Sequence, residues 1–164
     1  MRRSVPEDYQ LPVARLPILV QLGLTYRCNL KCSHCYALYR RDRDEFTLPE
    51  IRTLANELYA AGSAAVVYSH GENMIRSDFH EAAAVFRDLD FYQTLMLNGF
   101  YVRDRSDAQR LADAGINRTM ISIDSVAPHV HDRVRGKVGA YGRAMGAIER
   151  LLGSDVATVG FSCT

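Results

Sequence analysis

Cys28, Cys32 and Cys35 stand at C-x3-C-x2-C spacing, directly after an apolar run and directly before a charged loop, while the fourth cysteine, Cys163, lies at the far end of the chain. Three thiolates this close can hold three corners of a metal cluster but cannot fill four. One metal position is then left open, and an open position is where chemistry takes place. Zinc is the competing occupant. Most zinc sites draw two pairs of ligands from separate places, and the second pair is missing here. His34 lies between two of the cysteines, with just one residue separating it from Cys32, and would serve as a fourth ligand only with difficulty.

The elements that must position these thiols alternate. Residues 18–24 are short, apolar and β-rich and predict a buried first strand. Thr47-Leu48-Pro49-Glu50 matches a capping box, and Ile51, Leu54, Ala55, Leu58 and Tyr59 form the apolar face of a helix that stops near Gly62. Residues 64–69 read as a second strand, and Asp78-Phe79-His80-Glu81 as a second capping box opening a helix to about residue 89. Residues 93–97 form a third strand ending at Asn98-Gly99, and Ser106-Asp107-Ala108-Gln109 caps a third helix that ends at Gly115. A fourth strand over 118–123, a helix over about 141–152 and a fifth strand from Val156 complete the order. Alternation of this kind predicts an α/β fold of parallel strands joined by right-handed helical crossovers. Barrel and open sheet both fit, and in either the functional groups collect at the C-terminal strand ends. The chain stops on an apolar strand that nothing follows to cover, which predicts a piece of a longer protein.

That rule gathers the polar residues at one end of the sheet. The cysteines follow strand 1, His70-Gly71-Glu72-Asn73 follow strand 2, and Asn98-Gly99 follow strand 3. Ser122 and Asp124 end strand 4, and the loop after them adds cationic groups between His131 and Gly136. Plainer readings stand beside several of these. Asp124-Ser125 could begin a turn, and Asn98-Gly99 could do no more than make one. His129 and His131 are expected to be exposed, His80 to lie on a helix face, Phe91-Tyr92 to pack, and Cys163 to be a small buried hydrophobe.

With those residues in register, the chain resembles the radical SAM superfamily. The resemblance rests on Thr25-Tyr26-Arg27-Cys28-Asn29-Leu30-Lys31-Cys32-Ser33-His34-Cys35-Tyr36, on the Gly-Gly-Glu-Pro-like segment around His70-Gly71-Glu72-Asn73, on Ile121-Ser122-Ile123-Asp124-Ser125, and on Arg135-Gly136 with Ala140-Tyr141. It covers most of the chain from Ile18 onwards. Two positions depart from the pattern: His70 replaces a glycine and Asn73 a proline.

The resemblance implies a partial (β/α) barrel of parallel strands with outer helices, truncated after about the fifth strand, with residues 1–17 as an extension and 18–164 as the incomplete core. It implies that Cys28, Cys32 and Cys35 ligate a 4Fe-4S cluster and that S-adenosyl-L-methionine fills the open iron position. Reductive cleavage of that cofactor, fed by an external electron donor, would yield a 5′-deoxyadenosyl radical that abstracts hydrogen from substrate. Glu72, beside Gly71, would accept the cofactor's amino group. Ser122 and Asp124 would meet the ribose, Arg135 would pair with the carboxylate, and His34 would lie near the adenine. The motifs look most like those of members with a C-terminal SPASM region, so the expected substrate is a ribosomally made peptide or protein. Sulfatase-type maturation, haem or quinone cofactor biosynthesis, and a truncated metal-binding module without turnover are the alternatives.

Bulk properties agree with a globular domain. Of 164 residues, 48% are hydrophobic and 24% charged, which suits one domain with a real core. A net charge of +1 steers the chain towards neither nucleic acid nor an anionic membrane. Arg40, Arg41 and Arg43 interleave with Asp42, Asp44 and Glu45 and read as a solvated loop. No apolar stretch follows Met1-Arg2-Arg3 to make a signal peptide, and the longest apolar run, 16–24, is too short for a bilayer. Clustered cysteines in a soluble chain predict a reducing, cytoplasmic setting.

Overall fold

The computed structural model describes residues 17–37 and 44–163. The extension expected before Pro17 and the mixed-charge run at 40–43 lie outside the described residues. Five strands, β1 (Leu19–Leu22), β2 (Ala65–Tyr68), β3 (Tyr92–Leu97), β4 (Ile116–Ser122) and β5 (Thr158–Ser162), form one sheet in sequential order. Every neighbouring pair is parallel. Helices α1 (Leu48–Ala60), α2 (Phe79–Arg87), α3 (Arg105–Asp113) and α5 (Ala140–Leu152) make the crossovers, and α4 (Pro128–Arg135) lies in the last of them. The result is the expected partial (β/α) barrel. No helix among the described residues is long and apolar enough to cross a membrane.

The two sheet faces differ. Val66, Tyr68, Leu95, Leu97 and Ile121 are buried in one core with Ile51 and Ala55 of α1, Phe79 and Phe86 of α2, Leu111 of α3 and Leu151 of α5. The alternate residues Gln21, Val67 and Met96 are only half-buried or exposed and line a cavity on the other face. Apolar runs therefore mark the helix-covered face, whereas the inner face stays open.

Helix starts show which local signals prevail. Thr47 and Glu50 make the reciprocal capping box expected of α1, worth about 1 kcal/mol. Asp78 makes no side-chain cap for α2, because its carboxylate is bound at 2.9 and 2.7 Å by Arg76. At α3 the cap is Asp104 rather than Ser106, accepting from Asp107 N–H at 2.8 Å. Asp107 itself is buried and paired with Arg103 and Arg110.

The largest correction is α4. Its residues, expected as loop, form a helix with Pro128 in the first turn and Gly136 after the last, at φ 67°. His131, expected to be exposed, is buried; its Nδ1 accepts from Asp124 N–H at 3.2 Å and its ring meets Tyr141 edge-on. Asp132 of the same helix accepts from Gly139 and Tyr141 N–H at 2.6 and 2.8 Å, capping α5 from outside. Cys163 is also corrected: it lies exposed beyond β5, within 3.7 Å of the Asp124 carbonyl. Of the aromatic pair, Phe91 packs on Phe86 at 5.3 Å, while Tyr92 is half exposed on the strand.

Candidate metal and cofactor site

The cysteine loop is clamped from three directions. Thr25 and Arg27 both bind Glu45, and the buried Arg76 joins Glu45 at 3.1 Å to Asp78 at 2.7 Å, while also donating to Leu24 C=O at 3.1 Å and Phe46 C=O at 2.9 Å. Burial alone would raise the Glu45 carboxyl, but its hydrogen bonds from Arg27 and Thr25 and the charges of Arg27 and Arg76 outweigh that and hold it below the ordinary value. Glu45 is thus an anchor rather than part of a solvated run.

From the β2 side, Gly71 sits at φ 45°, and a Cβ there would meet Arg27 C=O at 2.5 Å. Its bare backbone lets Glu72 N–H reach Arg27 C=O at 2.8 Å. From the α4 side, Ser33 N–H donates to Val134 C=O at 2.9 Å, and a Cβ on Gly136 would stand 2.6 Å from Lys31 C=O. Glycine is required at both approaches.

Both departures from the family pattern have a local account. Asn73 is fully buried; its Oδ1 accepts from Leu24 N–H at 3.3 Å and its Nδ2 donates to Ser69 C=O at 3.3 Å, tying the turn to β1. His70 adopts φ 65°, a conformation that costs a non-glycine residue about 1–2 kcal/mol. Its ring is held edge-on between Tyr26 and Tyr36, both at 5.3 Å, with Nδ1 2.9 Å from Ser69 Oγ.

A cavity of about 410 Å³ opens at the C-terminal strand ends. Cys28, Cys32, Cys35, His34, Gly71, Ser122 and Arg135 all line it, so sequence and structure bring these seven residues to one place. Glu72 and Asp124 stand behind its wall and do not line it. Glu72 is 1% exposed; its Oε2 accepts from Asn98 N–H at 2.8 Å, and its Oε1 has no hydrogen-bond partner. Burial pushes its pKa up to about 7, against the pull of backbone N–H groups of Asn98 and Met74. Asp124 faces Arg135, accepting from Nη2 at 2.9 Å, with Nε 2.7 Å from Oδ2 but off line for a hydrogen bond.

Asn98, placed by sequence at the same sheet end but given no role beyond a possible turn, joins the site. Its amide donates to Asn29 Oδ1 at 2.8 Å and reaches Cys28 Sγ at 3.8 Å, so it links the buried Glu72 to a cysteine. Its position at the end of β3 was the available signal. Cys28 Sγ also accepts from Leu30 N–H at 3.4 Å, and Cys32 Sγ from Arg135 Nη1 at 3.6 Å. No disulfide joins the cysteines, and among the described residues no three His, Cys, Asp or Glu side chains converge on one point as a single ion requires. Thiols spread round a cavity, with N–H donors at Cys28 and Cys32, suit a cluster whose irons take one cysteine apiece.

Residues 22–163 match the radical SAM superfamily, and the chain belongs to it. It is 33% identical over 131 residues to Fe-coproporphyrin III synthase of Methanosarcina barkeri, covering 79% of this chain and 32% of that protein. To PqqA peptide cyclase of Bradyrhizobium diazoefficiens it is 32% identical over 142 residues, covering 85% of this chain and 36% of that one. The crystal structure of Streptococcus suis SuiB bound to precursor peptide SuiA superposes with a TM-score of 0.72 at 17% identity, over 82% of this chain and 30% of SuiB, a likeness of fold. The chain spans about a third of the length of the curated relatives it matches. The superfamily implies a 4Fe-4S cluster and S-adenosylmethionine.

Proposed function

We propose that the chain is the cofactor-binding core of a radical SAM enzyme that modifies a ribosomally made peptide or protein, with 18–164 as the core and 1–17 as an extension. The cavity onto which all three thiols open, beside Ser122 and Arg135, carries the reading. Cys28, Cys32 and Cys35 would hold a 4Fe-4S cluster, with S-adenosylmethionine against it. Bound together, these groups supply reductive cleavage of the sulfonium and a hydrogen-abstracting radical.

The chain's own residues bind and orient. Glu72 stands behind the cavity wall with Oε1 unpartnered and Asn98 in front of it, so its charge would favour the cofactor's ammonium through the wall rather than by contact. Ser122 offers a hydroxyl on the cavity wall for the ribose, with Asp124 behind it, and His34 lies at the rim near the expected adenine. The His70–Tyr26–Tyr36 ring contacts and Met96 form one wall of the cavity. An external donor would deliver the electron, and a reducing cytoplasm would keep the thiols available.

Similarity to a peptide cyclase supports a peptide substrate; similarity to Fe-coproporphyrin III synthase supports haem biosynthesis as the second reading. Anaerobic reconstitution should load about four irons and four sulfides per chain, and one zinc without sulfide would sink the proposal. With dithionite and S-adenosylmethionine the whole enzyme should release 5′-deoxyadenosine, and Cys32→Ala should abolish it. Deuterium passing into that product from a labelled precursor peptide, and not from a labelled porphyrin, decides the substrate class.

A further inference from the structure

We propose that Arg135, held by Asp124, is a positioning residue that raises the cluster's reduction potential through the Cys32 thiolate. The inference rests on the cluster reading above. Arg135 is 7% exposed, and a buried guanidinium is destabilising unless a partner offsets its lost hydration. Asp124, its side chain 3% exposed, takes up Nη2 and faces Nε. The remaining nitrogen, Nη1, donates to Cys32 Sγ at 3.6 Å. Two of the three guanidinium nitrogens thus serve as an anchor and the third addresses a ligand sulfur.

This contact is built in. Arg135 ends α4, and the same turn is locked to the cysteine loop by the Ser33–Val134 hydrogen bond and the close approach of Gly136 to Lys31. Cys32 is also buried, so solvent screens the charge weakly. A cation and an N–H bond at a ligand sulfur both favour the form that carries one more electron. The contacts to Cys28, from Leu30 N–H at 3.4 Å and the Asn98 amide at 3.8 Å, come from neutral groups, whereas Arg135 brings a full charge to Cys32. Arg135 itself forms and breaks no bond; one electron passes from the external donor, dithionite in the assay, to the cluster.

The test is a redox titration followed by electron paramagnetic resonance on the reconstituted full chain without S-adenosylmethionine. Arg135→Gln with unchanged iron content should lower the reduction equilibrium at least about tenfold, which is about 59 mV for a one-electron couple. Arg135→Lys, which keeps the charge but loses the fork that reaches both Asp124 and Cys32, should lie between Arg135→Gln and the wild type. An Arg135→Gln midpoint within about threefold of wild type, with weakened cofactor binding or without it, overturns the proposal. If Arg135→Gln holds no cluster, Arg135→Lys decides, and a midpoint at or above wild type overturns it. A wild-type chain that takes up no iron and sulfide strikes the cluster reading itself, a different and recognisable failure.

Discussion

Glu72 shows how one buried side chain ties site chemistry to stability. Its carboxyl titrates near 7 in the fold against an ordinary value of 4.5, because burial disfavours the charge more than two backbone N–H groups favour it. Between these values the folded chain binds more protons than the unfolded one. Glu72's contribution is therefore complete below about pH 4.5 and is lost as pH rises through about 7, roughly 3 kcal/mol in all. Buried His131 runs the other way, since desolvation first and the Arg135 charge second lower its pKa. The difference between variants isolates Glu72. In cluster-free protein, urea unfolding at pH 5 and pH 8 should show Glu72→Gln gaining stability relative to wild type at the higher pH; a gap independent of pH would contradict this. The carboxylate's place after β2 was readable from sequence. Its partner Asn98 was not, because residues 26 apart meet only once β2 and β3 have paired.

At the scale of elements, the cysteine loop depends on neighbours that carry no ligand. α4 hid in the sequence because its mostly polar eight residues offer a single apolar pair four apart, Val130 and Val134, and otherwise only Pro128 and Gly136 as signals. Those two residues matter because the end of the helix presses on Lys31. Gly136→Ala should cost about 1–2 kcal/mol for the left-handed backbone and more for the collision with Lys31 C=O, and should lower iron loading. Gly139→Ala, at φ 83° with open space around it, should cost only the backbone part and leave loading intact. Thermal melts and iron assays compare the two, and equal effects would remove α4's docking role. Glu45 and Arg76 teach the same lesson: a mixed-charge segment looks solvated until an arginine 31 residues away draws its acid inwards.

For the whole molecule, the sheet edges among the described residues are where association can start. β5 borders the sheet with Phe161 70% exposed, and exposed apolar edges template association. Phe161→Lys should reduce light scattering at high protein concentration while leaving the melting temperature within a few degrees, a limit set by the small energetics of surface changes. Scattering that did not fall would place association elsewhere. The sequence by itself determined the alternation of strands and helices, the parallel sheet and the identity of the three thiols, because periodicity, caps and close ligand spacing are local properties. Tertiary structure alone decided that Arg135 faces Cys32 rather than solvent, that Asn98 reaches Cys28, and that Glu72 and Asp124 stand behind the cavity wall. Each of those depends on chain segments 70 to 103 residues apart, or on burial, meeting at one end of the sheet. Contacts of that kind follow from strand register and helix docking, which no short stretch of sequence encodes.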